Sequence, residues 1–234
     1  MIVWVSSYPR SGNSLLKFLL SHVFLLHGTS RYFAIDMTSL AAEARKIPPH
    51  DPVSRYVRFW HDVPGPWEEF RAAAQQAAHP IYIKTHELRD DDSRGIYVVR
   101  DPRSTLVSYL HFLRRENPEL AITMDQVIRG TVGYGSWSAH LESWQPDQRP
   151  GSLLLRYEDL TESPDLAIEA LANFLGCRPL RPWVDRFAEF NAYQPGFYRS
   201  GSNSKNISEL SAAELDLIET IHGLWMRRLG YPTK

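Results

Sequence analysis

The chain has almost no cysteine. Cys177 stands alone among 234 residues, which excludes an internal disulfide and any cysteine-based metal cluster. A single thiol of this kind is expected to pack as a small apolar residue rather than to act as a nucleophile. Surplus charge is missing too: 26 Lys and Arg face 27 Asp and Glu, a net charge of −1. With no whole-protein basic field, no nucleic-acid partner is expected, although a local basic pocket stays open. Long apolar runs are absent. Leu15 to Leu26 is apolar but short, and Lys17 and His22 interrupt it; a membrane span needs ~20 apolar residues, so no membrane partner is expected. No secretory signal is expected, because the chain enters its first strand at once and meets Arg10 where an h-region would continue. Internal repeats, low-complexity tracts and linkers are lacking, and the Walker form G-x-x-x-x-G-K-[ST] has no match. These absences leave a soluble, cytoplasmic protein whose residues 1–234 suit one α/β domain, with ordinary proportions of hydrophobic (43%) and charged (23%) residues.

What is present is concentrated at the start. Ile2-Val3-Trp4-Val5 reads as a short buried strand, and Ser6 to Asn13 as a turn rich in hydroxyls with Pro and Gly punctuation. Apolar periodicity from Leu15 sets a helix start near Ser14. A strand, a small polar loop and a helix N-terminus form a site for a phosphate or sulfate. The first N–H groups of the helix have no intrahelical partner, and its dipole favours negative charge there. Ser11, Asn13 and Ser14 add donors, and Arg10 adds a cation with a planar fork. An ordinary strand–turn–helix with a polar cap accounts for the same residues.

Further strand–helix units follow. The first helix runs to about Leu26, with Gly28 as its stop. Met37 to Lys46 reads as a helix and Ile47 to Pro52 as a break. Trp67 to Ala78 is helical, Pro80 to Lys84 a strand ending in Thr85-His86, and Ile96 to Arg100 a third strand. Pro102 opens the next helix, in which Ser108 lies about two turns along. Helices are expected at Met124 to Arg129 and Ser136 to Trp144, a fourth strand at Ser152 to Tyr157, then helices at Pro164 to Leu175 and Arg181 to Phe190. A polar loop, Asn191 to Ile207, leads to a last helix near Ser211. There Glu214 completes a capping box, and Leu215, Ile218, Ile221, Leu224 and Trp225 are expected to face inward. This order implies a mostly parallel central sheet with helices on both faces, and ligands at the carboxyl ends of its strands. Lys84 and His86, two residues apart at a strand end, share one face.

Four stretches together resemble one family. They are Tyr8-Pro9-Arg10-Ser11-Gly12-Asn13-Ser14, Lys84-Thr85-His86, the block from Val99-Arg100-Asp101-Pro102-Arg103 through Leu106-Val107-Ser108-Tyr109 to His111-Phe112, and Tyr157-Glu158-Asp159. The chain is similar in these to the cytosolic-type sulfotransferases, which move a sulfuryl group from PAPS (3′-phosphoadenosine 5′-phosphosulfate) to an acceptor and release PAP. The resemblance implies a P-loop-like nucleotide-binding sulfotransferase fold without a metal. It implies that Arg10, Ser11, Gly12, Asn13 and Ser14 cradle the 5′-phosphosulfate, that His86 is the general base, and that Lys84 and Arg10 stabilise charge on the moving group. Arg100 and Ser108 would bind the 3′-phosphate. Tyr157 would contact the adenine side, and Phe187 falls where the family places an aromatic against adenine. Arg199 and Gly201 fit a loop that grips the 3′-phosphate, with Ser200 in place of the family's Lys. Tyr134-Gly135-Ser136-Trp137 with His140 also recurs there, bracing the pocket.

The chain departs from the family in places. Arg10 stands where Lys is usual, so a planar fork replaces a point charge. Leu15 stands where many members have a Trp against adenine. The resemblance implies a small-molecule acceptor, for which a hydroxyl or an amine fits equally. Its pocket is sought among Phe33, Arg58, Trp60, His61 and Tyr134, since aromatic walls with a few polar groups are typical of such sites; a surface cluster of partly buried aromatics explains Arg55 to Asp62 as well. Oligomeric state is left open. A P-loop kinase of small molecules and a non-catalytic PAP-binding relative are the alternatives. The kinase would need a Walker lysine near Gly12, and Lys17 is a turn too far along.

Overall fold

Ile2–Ser7 (β1) is buried along its whole length, as expected of a strand covered on both sheet faces. The computed structural model describes residues 1–26, 28–30, 60–62, 65–193 and 203–233. Among these, β1 is joined by Gly28–Ser30 (β2), Trp60–Asp62 (β3), Ile81–Thr85 (β4), Arg94–Val99 (β5) and Ser152–Arg156 (β6) in one six-stranded sheet of order β3-β2-β4-β1-β5-β6. All five pairings are parallel. The chain builds leftward from β1 and then crosses to β5 on its other side. The carboxyl ends of β4, β1 and β5 therefore meet at the point where the strand order reverses, the usual crevice for a ligand.

Alternation along the strands feeds two cores. Val3, Val5, Tyr82, Ile96 and Val98 face the helix Asn13–Val23 (α1), packing on Leu16, Leu19, Leu20 and Val23. Ile2, Trp4, Ile83, Tyr97 and Val99 face the opposite way, against Pro102–Glu116 (α3), Met124–Arg129 (α4), Trp137–Trp144 (α5) and Ala212–Arg228 (α10). The helix Trp67–Gln76 (α2) lies between β3 and β4 in the chain, Tyr157–Glu162 (α6) and Pro164–Leu175 (α7) follow β6, and Phe187–Tyr193 (α8) and Asn203–Ile207 (α9) precede α10.

Several expectations are corrected. Gly28 does not stop the first helix: α1 ends at Val23, and Gly28 opens the short strand β2. No helix spans Arg181 to Phe190. Pro182 disfavours a helical Arg181, and α8 begins only at Phe187, whose N–H donates to Asp185 Oδ1 at 2.8 Å. Tyr157 lies in a helix rather than in the preceding strand, and Asn203–Ile207 is a helical turn inside the expected loop. Leu224 is 70% exposed. It shares the outer stripe of α10 with Thr220 and Arg228, four residues to either side, while Ile218 and Trp225, seven apart, face the core. Cys177 is exposed, because it follows the left-handed Gly176 that turns the chain out of α7. The expected helix at Met37 to Lys46 lies outside the described residues. Among the described residues, no helix is long and apolar enough to cross a membrane.

Candidate active site

The loop after β1 is shaped by two left-handed residues, Arg10 (φ 67°) and Gly12 (φ 110°). Gly12 is the N-cap of α1, and a Cβ there would sit 2.6 Å from Cδ2 of Tyr157. Only glycine fits both the dihedral and the ring. The Ser11 N–H donates to the Tyr8 carbonyl at 3.2 Å, which closes the turn and leaves the first N–H groups of α1 at its rim. Ser11 is fully buried, and among the described residues its Oγ has no hydrogen-bond partner. A buried hydroxyl of this kind is a place for a ligand oxygen. The Asn13 amide nitrogen is not available to the loop, because Nδ2 donates to the Val5 carbonyl at 3.2 Å. That bond fixes α1 over β1 and leaves Asn13 Oδ1 buried without a partner among the described residues.

His86 follows β4 beside this loop. Its Nδ1 lies 2.7 Å from the Ser7 carbonyl oxygen. A carbonyl can only accept, so Nδ1 carries the proton and Nε2 the lone pair. The backbone of His86 is held as well. His140 Nε2 donates to the His86 carbonyl at 2.9 Å, and His140 Nδ1 accepts from the Tyr97 hydroxyl at 2.7 Å. His140 is fully buried, and that burial pulls its pKa down to about 4. The imidazole is thus a neutral strut. His86 itself is held well below its usual value, first by burial and then by the Lys84 ammonium, against the opposing Ser7 hydrogen bond. A neutral imidazole with its lone pair on Nε2 is what a general base requires.

Cations surround this histidine. Lys84 is half-buried, and its pKa is lowered well below the usual value by burial first and by Lys17 next, with Glu87 opposing. Lys17 is also half-buried, and burial lowers it to about 8. Arg10 turns the other way, toward α3. Its Nε donates to Ser108 Oγ at 3.3 Å, and its guanidinium lies 5.6 Å from the centroid of Phe112.

Arg100 and Ser108 are 6% and 7% exposed. Arg100 directly follows β5, and its guanidinium lies 4.2 Å from the centroid of the Tyr157 ring. Burial lowers its pKa against the pull of Tyr157 and Glu158. The same Tyr157 ring backs Gly12, so one aromatic separates the loop after β1 from the end of β5. Glu158 braces this corner: Oε1 accepts the Asp101 N–H at 3.3 Å and Oε2 accepts the Tyr231 hydroxyl at 3.1 Å.

The structure thus gathers Arg10, Ser11, Gly12, Asn13, Ser14, Lys84, His86, Arg100, Ser108 and Tyr157 around three adjacent strand ends. Of the acceptor-pocket candidates, Tyr134 meets His86, with ring centroids 5.9 Å apart. Trp60 and His61 fall in edge strand β3, while Phe33 and Arg58 lie outside the described residues, as do Arg199 and Gly201. Phe187 is exposed at the head of α8. Sequence reasoning missed Lys17 and Tyr231. A lysine breaking the apolar face of α1 was the signal for the first; nothing local marked the second. It also missed Asn206, which is buried and donates from Nδ2 to the Ser104 carbonyl (3.1 Å) and Oγ (3.0 Å), tying α9 to the helix that carries Ser108.

The model of the sulfotransferase domain family matches residues 2–195. Sulfotransferase 4A1 of Mus musculus is 28% identical over 188 residues, covering 74% of this chain and 59% of its own length. Sulfotransferase 2A6 of the same species is 28% identical over 157 residues, covering 64% of this chain and 52% of its own. The chain therefore spans between about half and three-fifths of the length of these curated relatives. Among solved structures, mouse sulfotransferase SULT7A1 complexed with PAP superposes with a TM-score of 0.59 at 19% identity, over 97% of this chain and 84% of that one. Retinol dehydratase in complex with androsterone and inactive cofactor PAP gives 0.62 at 18% identity, over 100% and 82%. At such identities the likeness is one of fold.

Proposed function

The chain belongs to the sulfotransferase domain family, and from that premise we propose that it moves a sulfuryl group from PAPS to a hydroxyl or amine of a small-molecule acceptor. The observation that carries the reading is the His86 arrangement: a neutral imidazole, its tautomer set by the Ser7 carbonyl, beside Lys84 and the loop after β1. The residues present fit the donor. A fully buried Ser11 hydroxyl without a partner among the described residues, a glycine that no Cβ can replace and a helix N-terminus make a cradle for a phosphosulfate. Arg100 and Ser108, one strand over, supply the cation and hydroxyl for a 3′-phosphate.

PAPS, when bound, supplies the sulfuryl group on a phosphate leaving group. The chain's residues do the rest. His86 Nε2 takes the acceptor's proton as the acceptor atom attacks sulfur. The first N–H groups of α1, Ser11 and Ser14 hold the 5′ end in place, and Lys84 balances charge on the oxygens around sulfur, as cations and backbone donors do in phosphoryl transfer. Arg10, bonded to Ser108, would add its positive charge to the donor site from the α3 side. Tyr157 stands between Gly12 and Arg100, where it sets their separation and offers an edge to the adenosine. Phe187, Arg199 and Gly201 are proposed as further cofactor contacts on the family pattern, and Tyr134 with Phe33, Arg58, Trp60 and His61 as acceptor contacts.

The model that matches is that of a sulfotransferase domain, which lends the kinase alternative no support. The test is incubation with PAPS and a chemically diverse acceptor panel, read by mass spectrometry. A gain of one SO₃ on an acceptor, with equal release of PAP, is the expected result. PAP binding without transfer to any acceptor would favour the non-catalytic reading instead.

A further inference from the structure

Lys17 is a half-buried cation to which the mechanism above gives no task. Its position follows from three constraints. Asn13 bonds the Val5 carbonyl, so the Asn13 side of α1 lies over β1. Lys17 is one turn along that side, between Leu16 and Leu20, which pack on Val3 and Val5. Val5 is in register with Lys84, and Lys84 alternates with Ile83. Its side chain therefore points to the α1 side of the sheet, as Tyr82 does. The two lysines share the space between α1 and the end of β4, where His86 leaves the strand. A helical side chain leans toward the helix N-terminus. A Lys17 stem with that lean runs along apolar α1 and directs its ammonium toward the loop after β1. Lys17 is the charge that most depresses Lys84, and it reaches His86 as well. Arg10, the loop's own cation, is meanwhile engaged on the α3 side with Ser108 and Phe112.

We propose that Lys17 is a donor-binding cation of the transfer centre, holding with Lys84 the oxygens of the sulfuryl group as it moves. The inference rests on the sulfotransferase reading. In the step it serves, the acceptor–sulfur bond forms and the bond from sulfur to the phosphate oxygen breaks. That oxygen leaves with the electron pair on PAP, and the acceptor proton passes to His86 Nε2. Sulfur carries three peripheral oxygens through this exchange, and two ammonium groups serve them as point charges that a fork anchored on Ser108 does not supply.

The test is calorimetric titration of wild-type, Lys17→Met and Lys17→Arg proteins with PAPS and with PAP separately, followed by turnover on an accepted substrate. PAP lacks the sulfuryl group, so Lys17→Met is expected to leave PAP affinity within about twofold of wild type. PAPS affinity should fall about tenfold and kcat about a hundredfold, as for loss of one charge-bearing contact to a transition state. Lys17→Arg keeps the charge and is expected to recover PAPS affinity more than kcat. PAPS and PAP weakened equally by Lys17→Met, or neither changed, overturns the assignment while the sulfotransferase reading stands. A wild-type protein that binds neither nucleotide overturns both.

Discussion

Gly12→Ala probes the loop most directly. Gly12 has φ 110°, and an added Cβ would stand 2.6 Å from Cδ2 of Tyr157 and 3.3 Å from Cγ1 of Val98. The dihedral alone costs about 1–2 kcal/mol for an L-residue, and overpacking at a buried contact adds about 1–3 kcal/mol. The ring cannot retreat freely, because the Arg100 guanidinium lies against it at 4.2 Å. Displacing Tyr157 therefore moves Arg100, and a change made in the loop after β1 is felt at the end of β5. We expect Gly12→Ala to lose about 2–5 kcal/mol in urea unfolding without ligand. PAP affinity should fall about tenfold or more in calorimetry, the equivalent of about 1.4 kcal/mol. Combining it with Tyr157→Leu separates the two terms. Removing the ring relieves the clash and leaves the dihedral strain, so the double variant should be more stable than the sum of the singles by about 1–3 kcal/mol. Additive losses, or a Gly12→Ala protein within about 0.5 kcal/mol of wild type, would refute the packing argument.

Other changes test the site at separate points. His86→Ala should abolish sulfuryl transfer yet bind PAP nearly as wild type; near-full turnover would exclude it as the base. Arg100→Ala should weaken PAP far more than adenosine 5′-phosphosulfate, which lacks the 3′-phosphate, and equal losses would remove its assignment. Acid should destabilise the protein between pH 6.5 and about 4. His140 and His222 are buried with pKa values near 4, so the unfolded chain takes up their protons first as pH falls. Each contributes about 3 kcal/mol across that window, and stability that stays flat from pH 7 to pH 5 in urea titrations would contradict their burial as neutral groups.

Much of this arrangement is legible in the chain because its signals are local. Thr123 with Gln126 and Ser211 with Glu214 form capping boxes where helices begin, and Gly130 and Gly176 end helices in left-handed conformations. Continuous apolar runs mark β1 and β5 because parallel strands are covered on both faces. The strands β2 and β3 escaped notice. Each has three residues, without an apolar run of its own, and each becomes a strand only by pairing. Leu224 misled because spacings of three and four drift around a helix, and on a seventeen-residue helix one apolar residue falls outside the stripe. At the site, residue types at strand ends were readable, while aim was not. Asn13 turns inward and Arg10 turns to α3, and both depend on partners, Val5 and Ser108, that only the fold brings near.

The same cluster shows why a site of this kind departs from the packing rules the rest of the chain obeys. Lys17, Lys84 and His86 are each held below their usual pKa by burial, and each lysine raises the cost of charging its neighbours. Ser11 keeps a buried hydroxyl without a protein acceptor or donor among the described residues. In a core such a set would be destabilising. A doubly anionic ligand end inverts each term. It supplies oxygens for the hydroxyl and the first N–H groups of α1, and it makes the protonated lysines favourable. On the proposed mechanism it would also raise the pKa of His86, so that a base kept neutral before binding would become a better proton acceptor once the donor is in place. On that proposal the cations weaken the base while the site is empty and cease to do so when they are paired with the donor's charge. By this logic donor binding precedes effective proton removal, a sequence built from the placement of two lysines and a histidine around one strand end.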